Sequence, residues 1–223
     1  LVVATPLGNL GDLTDRIKKE LAACDLIACE DTRVTIGLLK HIGISKPMIA
    51  YHEHNEKEVA VELADKISTG QVVALITDAG TPGISDPGFR VTRECRRRKL
   101  NVTPLPGPCA IIALLSASGL PTNAFRFVGF LPAKSAARRR FLEQSLQSDE
   151  TIVLHESCHR ISDFAEEMLE ILGPSRVVCV GRELTKLHET IRTAPLGELV
   201  PLLKAGSMKG EFTVAIAPVD FIL

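Results

Sequence analysis

Glu30-Asp31-Thr32-Arg33 places two carboxylates and a guanidinium within four residues. A carboxylate here suits proton removal from a substrate hydroxyl. From composition alone the same residues better suit a helix N-cap with a surface ion pair, worth about 0–1 kcal/mol. Asp78-Ala79-Gly80-Thr81-Pro82-Gly83-Ile84-Ser85-Asp86-Pro87-Gly88 carries three glycines and two prolines. Glycine permits close backbone approach and proline fixes the path between, so the segment can offer N–H and C=O groups to a polar ligand. It is longer than the roughly two to six residues of an ordinary strand-to-helix connection. Thr5-Pro6-Leu7-Gly8-Asn9-Leu10-Gly11-Asp12 and Pro106-Gly107-Pro108-Cys109-Ala110 are two further loops of this kind. Gly8-x-x-Gly11 is not a dinucleotide fingerprint, and no Gly-Lys-Ser/Thr occurs, so a nucleoside-triphosphate site is poorly supported.

Basic side chains cluster twice. Arg96-Arg97-Arg98-Lys99 closes a helical pattern, where cations favour the helix dipole. Lys134 with Arg138, Arg139 and Arg140 lies near Phe127, Phe130 and Phe141, and is the better candidate for phosphate contacts. His52-x-His54 and His155-Glu156-Ser157-Cys158-His159 hold ligand types without zinc spacing, so no metal is expected. No Ser-His-Asp or Cys-His set can be assembled from spacing.

The elements that must position these residues alternate. Leu1–Ala4, Asp25–Cys29, Val72–Ile76 and Asn101–Leu105 read as strands. A helix with Ile17, Leu21 and Cys24 on one face separates the first two, and Val59, Leu63 and Ile67 mark a later helix. Asn55 followed by Glu58 resembles a capping box at that helix's start. After Gly119-Leu120-Pro121-Thr122-Asn123 the pattern restarts. It gives helices over 135–146 and from Ile161 to Leu172, strands at Thr151–Leu154, Val177–Val180 and Phe212–Ile216, and a helix after Pro195. The rhythm predicts two α/β domains, 1–119 and 120–223, with largely parallel sheet. In such sheets ligands bind beyond the carboxyl ends of strands, where the three loops and the Glu30 segment lie.

Composition agrees. The 223 residues are 45 % hydrophobic and only 4 % aromatic, with no Trp, so the core must rest on aliphatic side chains. Net charge is −1, so any nucleic-acid surface must be local. Six cysteines without a CxxC read as reduced and mostly buried, which predicts a cytoplasmic protein. The apolar run Cys109–Leu115 is too short to span a membrane. The chain opens at Leu1 already inside a strand pattern, so further residues are expected before it.

Nine segments occur in a fixed order. They are Thr5–Thr14, Glu30–Arg33, Asp78–Pro82, Ser85–Gly88, Pro106–Ala110, Ser118–Pro121, Gly129–Pro132, Arg182–Lys186 and Gly210–Phe212. Together they resemble the ribosomal RNA small subunit methyltransferase I family, a branch of the tetrapyrrole-methylase superfamily. The resemblance implies two α/β domains of tetrapyrrole-methylase type with S-adenosyl-L-methionine in the interdomain cleft. It implies 2′-O-methylation of a cytidine in the decoding region of 16S ribosomal RNA, by a homodimer without membrane association. By position it assigns Pro6, Asp78, Gly80, Thr81, Ile84, Ser85, Asp86, Cys109, Ala110, Leu154, Phe212 and Thr213 to the cofactor. Glu30 or Asp31, and then Lys186, become candidates for the proton acceptor. Arg33, Lys134, Arg138, Arg139, Arg140 and Arg182 would hold RNA. The family's aromatic-Glu-Ser-Pro-His-Arg pattern stands here as His155-Glu156-Ser157-Cys158-His159-Arg160, and relatives usually continue past the position of Leu223. A tetrapyrrole or protein side-chain methylase of the same superfamily, or a non-catalytic RNA- or nucleotide-binding module, is the alternative.

Overall fold

The computed structural model describes residues 1–223, which divide into two compact units, Leu1–Cys109 and Ala110–Leu223. The turn at 119–123 lies inside the second unit.

In chain order the first unit comprises β1 (Val2–Val3), α1 (Asp15–Ala23), β2 (Leu26–Cys29), α2 (Thr32–His41), β3 (Met48–Ala50), α3 (Glu56–Ser68), β4 (Val73–Ile76), α4 (Phe89–Arg97) and β5 (Pro104–Leu105). The strands form one sheet, ordered β3-β2-β4-β1-β5, with every pair parallel. Both central strands β2 and β4 are buried throughout, as unbroken aliphatic runs in a doubly covered parallel sheet require. Alternation sorts their side chains. Ile27, Cys29, Ala74 and Ile76 join one core with Ile17 and Leu21 of α1 and Leu39 of α2. Leu26, Ala28, Val73 and Leu75 join another with Leu63 of α3 and Val91 and Cys95 of α4. Full burial of Ile17 or Leu21 is worth about 1.5–3 kcal/mol each. Thr14 caps α1, its hydroxyl accepting the Ile17 N–H at 3.2 Å.

Asn55 does not cap α3. Its side chain instead accepts the His52 N–H at 2.9 Å and donates to the Ala50 carbonyl at 2.9 Å, pinning the exit of β3. Tyr51 is buried between α3 and α4, accepting the Val91 N–H and facing Glu56.

The second unit comprises α5 (Ala110–Ser118), β6 (Phe125–Phe130), α6 (Ser135–Gln144), β7 (Thr151–Ser157), α7 (Ile161–Leu172), β8 (Val177–Arg182), β9 (Thr190–Pro195), α8 (Leu196–Lys204) and β10 (Glu211–Ile216). Its sheet runs β6-β7-β10-β8-β9. Only β6–β7 is parallel; the other three pairings are antiparallel, which the alternating pattern did not predict. β8 and β9 are joined by a short connection rather than a crossover helix and pair antiparallel, and β10 lies between β7 and β8, running opposite to both. One face packs on α6, α7 and α8 through Ile152, Leu154, Phe164, Met168, Leu199 and Val214. The α5 helix covers the other face. There Gly181 matters, because a Cβ would lie 2.7 Å from Leu114 Cδ1 of α5.

No helix is long and apolar enough to cross a membrane. All six cysteines are free; Cys24, Cys29, Cys95 and Cys179 are buried, Cys109 and Cys158 half-buried.

Candidate active site

The site is built first from backbone. Parallel pairing aligns the carboxyl ends of all five strands of the first sheet, so the segments after β1, β2, β4 and β5 emerge at one edge. The connection leaving β1 runs past β4 to β2, and that leaving β4 runs past β1 to β5. Opposed connections of this kind open a crevice at the strand ends. Hydrogen bonds then tie the loops to one another. Thr5 and Gly80 exchange both backbone bonds, at 2.8 and 3.0 Å, and the buried Thr5 hydroxyl donates to the Thr77 carbonyl at 2.9 Å. The Thr81 hydroxyl donates to the Pro108 carbonyl at 3.0 Å, fixing the turn before Cys109.

The loop after β4 closes on itself: the Gly83 N–H donates to Pro87 at 3.2 Å and the Ile84 N–H to Thr81 at 3.2 Å. Gly88 sits at φ 153°, and a Cβ there would lie 2.8 Å from the Gly83 nitrogen. Only glycine fits. Ser85, at φ 63°, is a non-glycine residue in the left-handed region, a conformation held by its surroundings. Ile84 and Ser85 are exposed at the tip, Pro6 and Gly80 are buried at the base, and Asp86 is half-buried.

Three carboxylates gather at the ends of β2 and β4. Asp31 is the N-cap of α2, accepting the Arg33 N–H at 2.8 Å. Its carboxylate also grips the Arg33 guanidinium, with contacts of 3.0 and 2.6 Å. These side-chain bonds, then the Arg33 N–H, bring Asp31 down to about 2. Glu30 moves the opposite way. Burial, then the neighbouring Asp78 charge, pushes it above the ordinary glutamate range. Asp78 in turn accepts the Asp31 N–H on Oδ1 at 3.1 Å, and burial raises its pKa as well. Adjacent carboxylates thus differ in environment: Asp31 is committed to a guanidinium, while burial and like charge disfavour the charged form of Glu30.

In the second unit Leu154 and Phe212 lie in the core, so only their backbone is available to a ligand. Thr213 pairs with His155 across β10 and β7, its hydroxyl 3.2 Å from His155 Nδ1. The His155 ring lies edge-on to Phe127, and burial lowers its pKa. Ala110 opens α5. Lys186 bridges Glu183 at 3.0 Å and Glu211 at 2.9 Å. Burial pulls its pKa down, but the bonds to Glu211 and Glu183 outweigh it and keep the ammonium charged.

The basic residues separate by exposure. Arg33 is 88 % exposed at its side chain. Lys134 and Arg140 face solvent, and Arg139 forks onto Glu170 at 2.8 and 2.6 Å. Arg138 is corrected from a phosphate contact to an internal ion pair: it is buried, with both Nε and Nη2 on Glu167 at 3.0 and 2.8 Å. Arg182 spends its guanidinium on the Lys209 and His188 carbonyls and the Ser207 hydroxyl. No three His, Cys, Asp or Glu side chains are grouped to hold a metal ion. The Asp78 link to the Glu30 segment escaped the sequence, because its partners stand 47 residues apart and meet only through strand pairing.

Residues 1–200 match the family described as Tetrapyrrole (Corrin/Porphyrin) Methylases. The chain belongs to the tetrapyrrole methylases, in the ribosomal RNA small subunit methyltransferase I family. The tetrapyrrole-methylase match covers both units. The chain is 48 % identical over 217 residues to the Ribosomal RNA small subunit methyltransferase I of Vibrio cholerae, covering 96 % of this chain and 75 % of that one. The protein of the same name from Haemophilus influenzae is 52 % identical over 190 residues, covering 85 % and 67 %. Among solved structures the methyltransferase CobJ superposes with TM-score 0.70 at 17 % identity, over 97 % of this chain and 92 % of its own. The uroporphyrin-III-C-methyltransferase from Thermus thermophilus gives 0.63 at 20 %, over 97 % and 93 %. These two likenesses carry the methylase fold alone.

Proposed function

We propose that the chain transfers the methyl group of S-adenosyl-L-methionine to the ribose 2′-oxygen of a cytidine in the decoding region of 16S ribosomal RNA, in the bacterial cytoplasm and as a homodimer. The observation that carries this reading is 48 % identity, across 96 % of the chain, to a protein named for methylation of small-subunit ribosomal RNA.

The residues present fit that cofactor. The loop after β4 offers backbone at an exposed tip, with Gly83 and Gly88 packed too closely for any side chain between them. Asp78 supplies an exposed carboxylate for hydroxyl or ammonium donors, and Thr81 and the turn to Cys109 are already fixed beside it. By sequence position the resemblance also assigns Pro6, Gly80, Ile84, Ser85 and Asp86 of the first unit, and Ala110, Leu154, Phe212 and Thr213 of the second. When bound, S-adenosylmethionine supplies an electrophilic methyl group, so the protein's main task is alignment.

The ribose hydroxyl is a weak nucleophile at neutral pH. Glu30 is the acceptor best suited to its proton, because its pKa is raised toward neutrality while Asp31 is bound to Arg33. Asp31 orients Arg33, which with Lys134 and Arg140 meets backbone phosphates. Lys186, held as a cation, serves there too rather than as a base.

Methyl transfer to small ribosomal subunits tests the assignment. Glu30→Gln is expected to lower the rate at least about 10²-fold, with cofactor affinity by calorimetry unchanged. Asp31→Asn is expected to weaken RNA binding more than turnover. Full activity in Glu30→Gln would remove Glu30 from the reaction. Mapping ribose methylation in cells lacking the protein tests the substrate.

A further inference from the structure

The ends of β2 and β4 are joined by a side-chain clasp. The Asp78 carboxylate accepts the Asp31 backbone N–H at 3.1 Å. The two strands pair up to Cys29 and Ile76, so the clasp takes over where the ladder stops. It holds the peptide between Glu30 and Asp31. It also fixes a second negative charge beside Glu30.

We propose that Asp78 is a positioning residue for Glu30, its side chain gripping the peptide that carries Glu30 and holding a second carboxylate at the same strand end. The proposal rests on the reading of Glu30 as proton acceptor. Other charged groups face Glu30 as well. Glu53, just beyond β3, adds negative charge and His52 opposes it, while Asp31, the cap of α2, and Arg33 within it neutralise one another. Asp78 is the one among them whose side chain also bonds to the backbone of the Glu30 segment.

The sign of the effect follows. A neighbouring negative charge disfavours the Glu30 carboxylate, so removing that charge makes Glu30 lose its proton at lower pH. An Asn side-chain oxygen still accepts the Asp31 N–H, so Asp78→Asn removes the charge and spares the grip.

The test is the pH profile of kcat for methyl transfer to small ribosomal subunits, at saturating S-adenosylmethionine, for wild type, Asp78→Asn and Asp78→Glu. The acid limb of Asp78→Asn is expected at lower pH than wild type, and Asp78→Glu, which restores a carboxylate, is expected to move back toward it. An Asp78→Asn limb that superposes on the wild-type limb overturns the proposal. Carbon-13 NMR titration of the Glu30 carboxyl in the wild-type chain, assigned by its loss in Glu30→Gln, gives a readout independent of how well the Asp78 variants fold. A Glu30 midpoint at the ordinary glutamate value also overturns it. Full activity of Glu30→Gln removes the underlying role of Glu30, a failure distinct from an unmoved limb.

Discussion

Asp31 and Glu30 are neighbours in sequence, yet the forces on them are opposite. Asp31 is solvated and bonded to Arg33, so its charge persists down to about pH 2. Its folded value is depressed, so the stability that it adds is present above the ordinary aspartate value and lost as pH falls through about 2. Glu30 is half-buried beside like charge, and its acid limb should therefore lie above the ordinary glutamate value. The same contrast divides the arginines. Arg138→Met is expected to destabilise the chain by about 3–5 kcal/mol in urea unfolding, because Glu167 is left as an uncompensated buried charge. Arg140→Ala, at an exposed position, is expected to leave stability within about 0.5 kcal/mol. Equal midpoints for the two variants would show that the Arg138 pair carries no such weight.

At the scale of elements, the loop after β4 is the part that tolerates least. Gly88→Ala forces a Cβ against the Gly83 backbone, and calorimetry should show S-adenosylmethionine binding weakened at least about tenfold. Thr14→Ala, at the start of α1, should cost about 1 kcal/mol of unfolding free energy without touching binding. Much of this was legible in the chain. The runs at 26–29 and 73–76 are apolar on both faces, and only a doubly covered parallel strand needs that. The glycines and prolines of 78–88 likewise announce a rigid loop. The strands at 48–50, 125–130 and 190–195 were not legible. Met48–Ala50 is too short to show a period, and Thr190–Pro195 is an edge strand whose mixed side chains reflect partial exposure. The start of α2 was legible as the N-cap and ion pair of Asp31 and Arg33, while the extent of the helix was not. Asn55 misled, since its side chain was taken by β3. The clasp at Asp78 is a product of tertiary pairing, and no local spacing encodes it.

For the molecule as a whole, a net charge of −1 leaves no global attraction for a polyanion. Affinity for RNA must then come from a few local cations, and each phosphate contact should show in the salt dependence. Arg33→Ala and Arg140→Ala are each expected to flatten the plot of log affinity against log salt by about one unit of slope, with filter binding as the measurement. An unchanged slope in both would place the phosphate contacts elsewhere. The distribution of thiols has a practical outcome of a different kind. Burial raises Cys24, Cys29, Cys95 and Cys179, which leaves them almost wholly protonated and shielded from reagent at neutral pH. A mild alkylating dye should therefore mark Cys109 and Cys158 alone while the fold holds. Delayed labelling of the other four would then time its opening, with no engineered probe.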